Sequence, residues 1–211
     1  PRHRPPRRGR RAGVSAAATI FDIGTGVLHK DGRCMDVTAI AAPPAGAAWS
    51  CERLLRGEAA TEAFGAALAP ALRPGDTILL HGDLGAGKSA LARAIIRHRL
   101  GDPSAEIPSP TYTLINVYEP EASVGTAIWH ADLYRLGGQD DLLELGLDEA
   151  FSRAICLVEW PERLGALSPA RALRIELVTA DADRARRVNV TALGDHWTAA
   201  GKAISCTGAD A

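Results

Sequence analysis

No apolar run in this 211-residue chain is long enough to cross a bilayer, and the stretch 39–49 is broken by Pro43 and Pro44. The cysteines Cys34, Cys51, Cys156 and Cys206 form no C-x-x-C pair and no zinc-ligand spacing. These absences exclude a spanning helix and a cysteine-metal motif, and a soluble, cytoplasmic protein with reduced thiols is expected. There is no internal repeat and no initiating Met. What is present, 46% hydrophobic residues, supports one sizeable core with room for appended segments.

Charge is unevenly spread. The formal charge of −1 resolves into +6 from Arg2, Arg4, Arg7, Arg8, Arg10 and Arg11, with no acid among them, and −7 over residues 12–211. An acidic body is poorly suited to gripping RNA phosphates directly, so any nucleic acid in the process is expected to be held by another protein. Residues 1–50 are rich in Pro, Arg, Gly and Ala. They are expected to be a poorly ordered extension, or translated sequence upstream of the natural start, rather than a nucleic-acid tether or transit peptide. Within them only 21–29 and 34–40 have the pattern of short strands. Residues 51–195 form the expected domain and 196–211 a tail.

The domain pattern alternates between helix and strand. Ala60, Phe64, Leu68 and Leu72 share one face of a helix predicted over 58–72, and Pro74-Gly75 precedes a strand at 77–81. Further strands are expected at 112–118, 127–133 and 155–160, a helix at 139–147, and a closing hairpin from 173–179 and 187–193. This interleaving predicts an α/β P-loop NTPase-like sandwich, a parallel nucleotide-binding core with added antiparallel strands and a C-terminal hairpin.

The most specific segment is Gly82-Asp83-Leu84-Gly85-Ala86-Gly87-Lys88-Ser89, a G-x-x-x-x-G-K-S loop entered from a buried strand and left by a helix over 90–99. Glycines let successive amides approach an anion, Lys88 reaches the β- and γ-phosphates, and the Ser89 hydroxyl is a magnesium ligand. The positive end of the helix faces the same phosphates. Such a loop needs an acid from a neighbouring strand. Asp132 and Glu159 each close an apolar run, and the carboxyl ends of parallel strands would bring both near Ser89. The structural alternatives are a cap at Asp132 and a surface pair between Glu159 and Arg163. Thr111, in Ser109-Pro110-Thr111-Tyr112-Thr113, stands where nucleotide switches sense the γ-phosphate or its metal, or where ordinary strand-entry chemistry would put it. His130 is expected to face the other side of its strand and to be core.

A guanine-specific Asn-Lys-x-Asp is missing, which disfavours GTP. The segment Leu136-Gly137-Gly138-Gln139-Asp140 lacks the serine of the transporter ATPase signature and follows the P-loop too closely. A P-loop kinase with a small-molecule acceptor is the alternative reading, although the arginines at 171, 174, 184, 186 and 187 lie beside predicted strands rather than in a lid.

Taken together, the loop 82–89, Ser109-Pro110-Thr111-Tyr112-Thr113-Leu114, His130-Ala131-Asp132-Leu133-Tyr134-Arg135 and Leu157-Val158-Glu159-Trp160-Pro161 closely resemble the TsaE (YjeE) family over about residues 58–190. The resemblance implies a bacterial ATPase of tRNA threonylcarbamoyladenosine biosynthesis, which binds the complex of a TsaD-type transferase with its TsaB-type partner and hydrolyses ATP there. It implies that Asp83, Gly85, Ala86, Gly87, Lys88, Ser89 and Ala90 hold ATP or ADP. It further implies that Ser89 and Glu159 ligate Mg2+, that Asp132 is the catalytic or water-orienting acid, and that Thr111 lies in the switch-like loop. Glu58 and Ala59 would lie near adenine, and Arg184 in a hairpin approaching the nucleotide. Ser89 stands where the family more often has threonine, and Ala131 where it more often has an aromatic.

Overall fold

The computed structural model describes residues 46–120, 125–137, 142, 144–180 and 185–205. All of them lie in one compact unit, Asp36–Ala211. The strands expected at 21–29 and 34–40, residue Arg184, and positions 139–141 and 143 of the expected helix fall outside the described residues.

In chain order the elements are β1 (Ala47–Arg56), α1 (Gly57–Leu68), β2 (Thr77–His81), α2 (Lys88–Leu100), β3 (Ile115–Tyr118), β4 (Ile128–Asp132), α3 (Leu147–Arg153), β5 (Ile155–Glu159), β6 (Ala172–Thr179), β7 (Ala185–Leu193) and α4 (Thr198–Ser205). Short 3-10 turns, Ala69–Ala71 and Pro161–Leu167, follow α1 and β5. One seven-stranded sheet runs in the order β1-β7-β6-β2-β5-β4-β3. Strands β6, β2, β5 and β4 are parallel to one another; β3 at one edge and β7 on the other side run opposite to them, and β1, antiparallel to β7, closes the second edge. The central strands read as unbroken apolar runs because both of their faces are covered. Ile78 and Leu80 of β2 pack with Phe64 and Leu68 of α1, Leu91 and Ile95 of α2, and Ile204 of α4. Leu79, Cys156 and Val158 pack on the opposite face with Leu147 and Ala150 of α3 and Leu164. The result is the α/β sandwich that alternation predicts, with no helix among the described residues long and apolar enough to cross a membrane.

Several boundaries differ from those read in the sequence. The predicted helix 58–72 stops at Leu68 and tightens into the turn Ala69–Ala71, where Pro70 cannot supply an amide hydrogen. The strand expected from 112 begins at Ile115, because Leu114 takes a left-handed φ of 64° and its N–H donates to the Pro110 carbonyl at 2.7 Å. Within the predicted helix 139–147 the described residues Leu142 and Glu144 are helical, 145–146 turn, and a separate helix, α3, starts at Leu147. Strand β1 begins at Ala47, inside the segment expected to be an extension, since it completes the sheet edge by pairing from Ala47 with Leu193 to Arg56 with Ala185.

The supposed tail from 196 contains a helix built into the domain. Ala200 and Ile204 of α4 are buried against the sheet with Trp197, whose indole N–H donates to the Leu193 carbonyl at 3.1 Å. His196 Nε2 lies 2.9 Å from Asp76 Oδ1, fastening the same segment to the turn before β2. Trp197→Ala is expected to destabilise the domain by about 3–5 kcal/mol, the ordinary cost of deleting a buried aromatic side chain. Equilibrium urea unfolding checks this, and an unchanged midpoint would show that the C-terminal helix contributes nothing to the fold.

Candidate active site

The loop after β2 is shaped by contacts only glycine permits. Gly82 has φ +134°, and a Cβ there would stand 2.4 Å from the Leu177 carbonyl oxygen of β6. Gly87, at φ +109°, carries the chain into α2 under Arg186, whose Nε would be 2.7 Å from an added Cβ. Leu91 N–H then donates to the Gly87 carbonyl, so the first amides of α2 remain directed at the loop.

Lys88, the first residue of α2, is 4% exposed and turns its ammonium back into the loop. Its Nζ donates to the carbonyls of Gly82 at 2.7 Å and Asp83 at 2.8 Å, and lies 4.0 Å from the centre of the Trp160 ring. Trp160 can cover it because this residue adopts the left-handed conformation, φ 56° and ψ 49°, directly after β5. Burial pushes the Lys88 ammonium below the usual lysine value, and the negative charges of Glu159, Asp132, Glu162 and Asp83 push it back up.

Both acids arrive from strand ends. In the parallel register Asp132 pairs with Glu159, and Leu80 with Glu159, which sets the two carboxylates beside the loop that leaves β2. Ser89 Oγ donates to Glu159 Oε2 at 2.9 Å. Thr111 Oγ1 donates to Asp132 Oδ2 at 2.7 Å and lies 3.0 Å from Ser109 Oγ. Asp132 Oδ1 accepts the Tyr134 N–H at 3.1 Å, so the capping role weighed for this residue is real and coexists with its place in the site. Glu159 makes no pair with Arg163; its partners are Ser89 and a histidine.

That histidine is His130, buried as expected but on the opposite face from the one expected. Side chains two apart along a strand share a face, so His130 points the same way as Asp132. Its Nε2 lies 2.9 Å from Glu159 Oε1, with the two side chains 0% and 2% exposed. The signal was available in the period of two and was misapplied.

These groups surround a pocket of about 330 Å³, whose walls include Gly85, Lys88, Ser89, Thr111, Asp132 and Glu159. Ala90 and Trp160 also line it, as does Glu58 from the first turn of α1. Ala59 is exposed beside Glu58 and does not line the pocket. Asp83 and Ala86 take part through their carbonyls, which accept from Lys88 and from Arg186 Nε at 3.0 Å respectively. Arg186, on β7, lines the pocket; the sequence reading names it among five arginines but assigns only Arg184 to the nucleotide. Among the described residues no group of three His, Cys, Asp or Glu side chains could hold a metal ion by itself. Ser89 and Glu159 nevertheless supply two oxygen donors close together, the donor type that Mg2+ takes when phosphates and water complete its shell.

Comparison with known proteins places this arrangement. Residues 55–188 match the family model for the threonylcarbamoyl adenosine biosynthesis protein TsaE. A tRNA threonylcarbamoyladenosine biosynthesis protein TsaE from Rickettsia bellii is 37% identical over 140 residues, covering 66% of this chain and 94% of the relative. The Streptomyces coelicolor protein of the same name is 40% identical, covering 65% and 93%. A crystal structure of Bacillus subtilis YdiB superposes with a TM-score of 0.61 at 28% identity, covering 74% of this chain and 95% of that one. With the family model spanning the loop, both acids and the sheet that aligns them, this chain belongs to the TsaE family of threonylcarbamoyl adenosine biosynthesis proteins.

Proposed function

We propose that this protein binds ATP with Mg2+ in the loop 82–89 and hydrolyses it to ADP and phosphate. The reaction serves formation of threonylcarbamoyladenosine at the adenosine 3′ of the tRNA anticodon. The observation that carries the reading is the convergence of a buried lysine, a loop hydroxyl and two strand-end carboxylates on one pocket. Gly85 and Gly87 line the pocket at φ +80° and +109°, a backbone conformation that suits close approach of main-chain amides to a polyphosphate.

In this reading Lys88 and the amides of Asp83, Gly85, Ala86, Gly87, Ser89 and Ala90 bind the phosphates. Ser89 Oγ and the Glu159 carboxylate hold the metal, which when bound neutralises charge on the phosphate oxygens. Asp132 orients the attacking water and accepts its proton, while Thr111 holds the Asp132 carboxylate from the other side. Glu58 with Ala59 approaches the base, and Arg186 of β7 the nucleotide. Catalysis is then mainly positioning and charge stabilisation.

The cytoplasmic partners are a TsaD-type transferase and a TsaB-type protein, whose contact completes the site by ordering the loop that carries Thr111. They present the tRNA, consistent with the −7 charge of residues 12–211.

Phosphate release assayed with and without the partner complex tests the whole reading. Release into water without an acceptor, stimulated by the partners, is expected; transfer to a small-molecule acceptor would make the protein a kinase instead. Asp132→Ala should leave nucleotide affinity near wild type and lower turnover by about 10²–10⁴-fold. Normal turnover by that variant would remove Asp132 from the reaction. Lys88→Ala should abolish tight binding in calorimetry.

A pH series adds an independent check. Phosphate binding needs the charged ammonium, and burial lowers the point at which Lys88 loses its proton below the ordinary 10.5. Affinity should therefore fall as pH rises through the alkaline range before 10.5 is reached, and the fall should vanish in Lys88→Arg, whose guanidinium stays charged. Equal pH profiles for the two proteins would mean that Lys88 does not contact phosphate.

A further inference from the structure

We infer that His130 is a positioning residue that aims the Glu159 carboxylate at the metal and sets the metal affinity of the nucleotide complex. The inference rests on the proposed ATP and Mg2+ site and goes beyond it, because His130 does not itself line the pocket and reaches it only through Glu159.

The argument begins with how Glu159 is held. Its carboxylate has two oxygens with separate duties: Oε2 accepts from Ser89 Oγ at 2.9 Å, and Oε1 lies 2.9 Å from His130 Nε2. A carboxylate holding a metal accepts hydrogen bonds and gives none, so the proton between them sits on His130 Nε2. The opposite ring nitrogen, Nδ1, is buried with no hydrogen-bond partner. A proton placed there would be a sealed donor with no acceptor, whereas a bare lone pair leaves an orphan acceptor, the lesser cost. Both requirements select one tautomer, with Nε2–H directed at Glu159.

Packing makes this a fixed arrangement. His130 is 0% exposed and Glu159 2%, so no water competes for Oε1. Both side chains stand on adjacent parallel strands, with His130 opposite Leu157 and Asp132 opposite Glu159. Glu159 is thus braced from beneath by β4 and leaves only its Oε2 edge turned toward the loop. Partners that orient a metal-holding carboxylate typically contribute 10–100-fold to metal affinity.

The test compares His130→Leu, which keeps bulk but donates nothing, with His130→Gln, whose terminal amide nitrogen is as many bonds from Cβ as Nε2. Calorimetry follows binding of a non-hydrolysable ATP analogue to the full chain over a Mg2+ titration. His130→Leu should need about 10–100-fold more Mg2+ to reach half-maximal affinity, with metal-free affinity unchanged, and His130→Gln should recover most of the loss. An unchanged Mg2+ requirement in His130→Leu, or equal losses in both variants, overturns the inference.

If His130→Leu does not fold, the wild-type protein still decides, through 15N-histidine NMR. A proton on Nε2 of His130 supports the inference, and an unprotonated Nε2 overturns it. If wild-type protein takes up no nucleotide at any Mg2+ concentration, the failure belongs instead to the proposed ATP site, and the NMR result continues to judge the His130–Glu159 contact.

Discussion

Lys88 holds its charge in a largely covered position on the wall of the pocket, and an ion drawn out of water is costly unless protein groups replace its hydration. The replacements are the Gly82 and Asp83 carbonyls, the face of Trp160 and the field of Glu159 and Asp132. No single element could deliver them all. The carbonyls come from a loop that turns only where glycine is allowed, the indole from a left-handed residue at the exit of β5, and the carboxylates from two strand ends. Balancing one cation therefore specifies loop, turn and sheet together.

The sheet order follows from the same need. Strand β5 lies between β2 and β4, so Glu159 stands level with Leu80 on one side and Asp132 on the other. All three strands are parallel, which puts their carboxyl ends on one edge, the edge from which the phosphate loop departs. A slip of one residue in β4 would turn His130 and Asp132 to the opposite face, into the cluster holding Leu79 and Val158. The apolar partners of those strands resist the slip: Ile128 belongs to one core and Ala131 to the other.

What could be read from the sequence, and what could not, divides along the same physical line. Strand β2 was predicted at its observed bounds, and α2 nearly so, because a continuous apolar run and a glycine-delimited loop are local signals. The acids at the ends of β4 and β5 were legible because an acid closing a buried strand contradicts its surroundings. The contribution of β1 was hidden, since its inward residues Trp49, Cys51 and Leu55 are sparse among polar ones and its pairing partner is more than a hundred residues away. The eight residues of α4 are fewer than the length over which a helical period can be read from sequence. His130 was misplaced by a parity error, yet its bond to Glu159 depends on cross-strand register, which no single segment carries.

The two acids are held in different ways, and this separates their roles. Each has one hydroxyl donor, Ser89 for Glu159 and Thr111 for Asp132. The second oxygen of Glu159 is taken by a fully buried ring on a neighbouring strand, whereas the second oxygen of Asp132 is taken by the Tyr134 amide in the segment after β4. Asp132 is therefore tied to two loops that reach the surface, where Tyr112 is 82% exposed and its ring lies under Arg135, 4.4 Å from the guanidinium carbon. The donors of Asp132 thus lie in segments continuous with that surface pair, whereas the histidine donor of Glu159 lies inside the sheet. On the proposed function, the metal-holding carboxylate is fixed by the sheet and by the first turn of α2, while the acid that handles water is fixed by two surface loops.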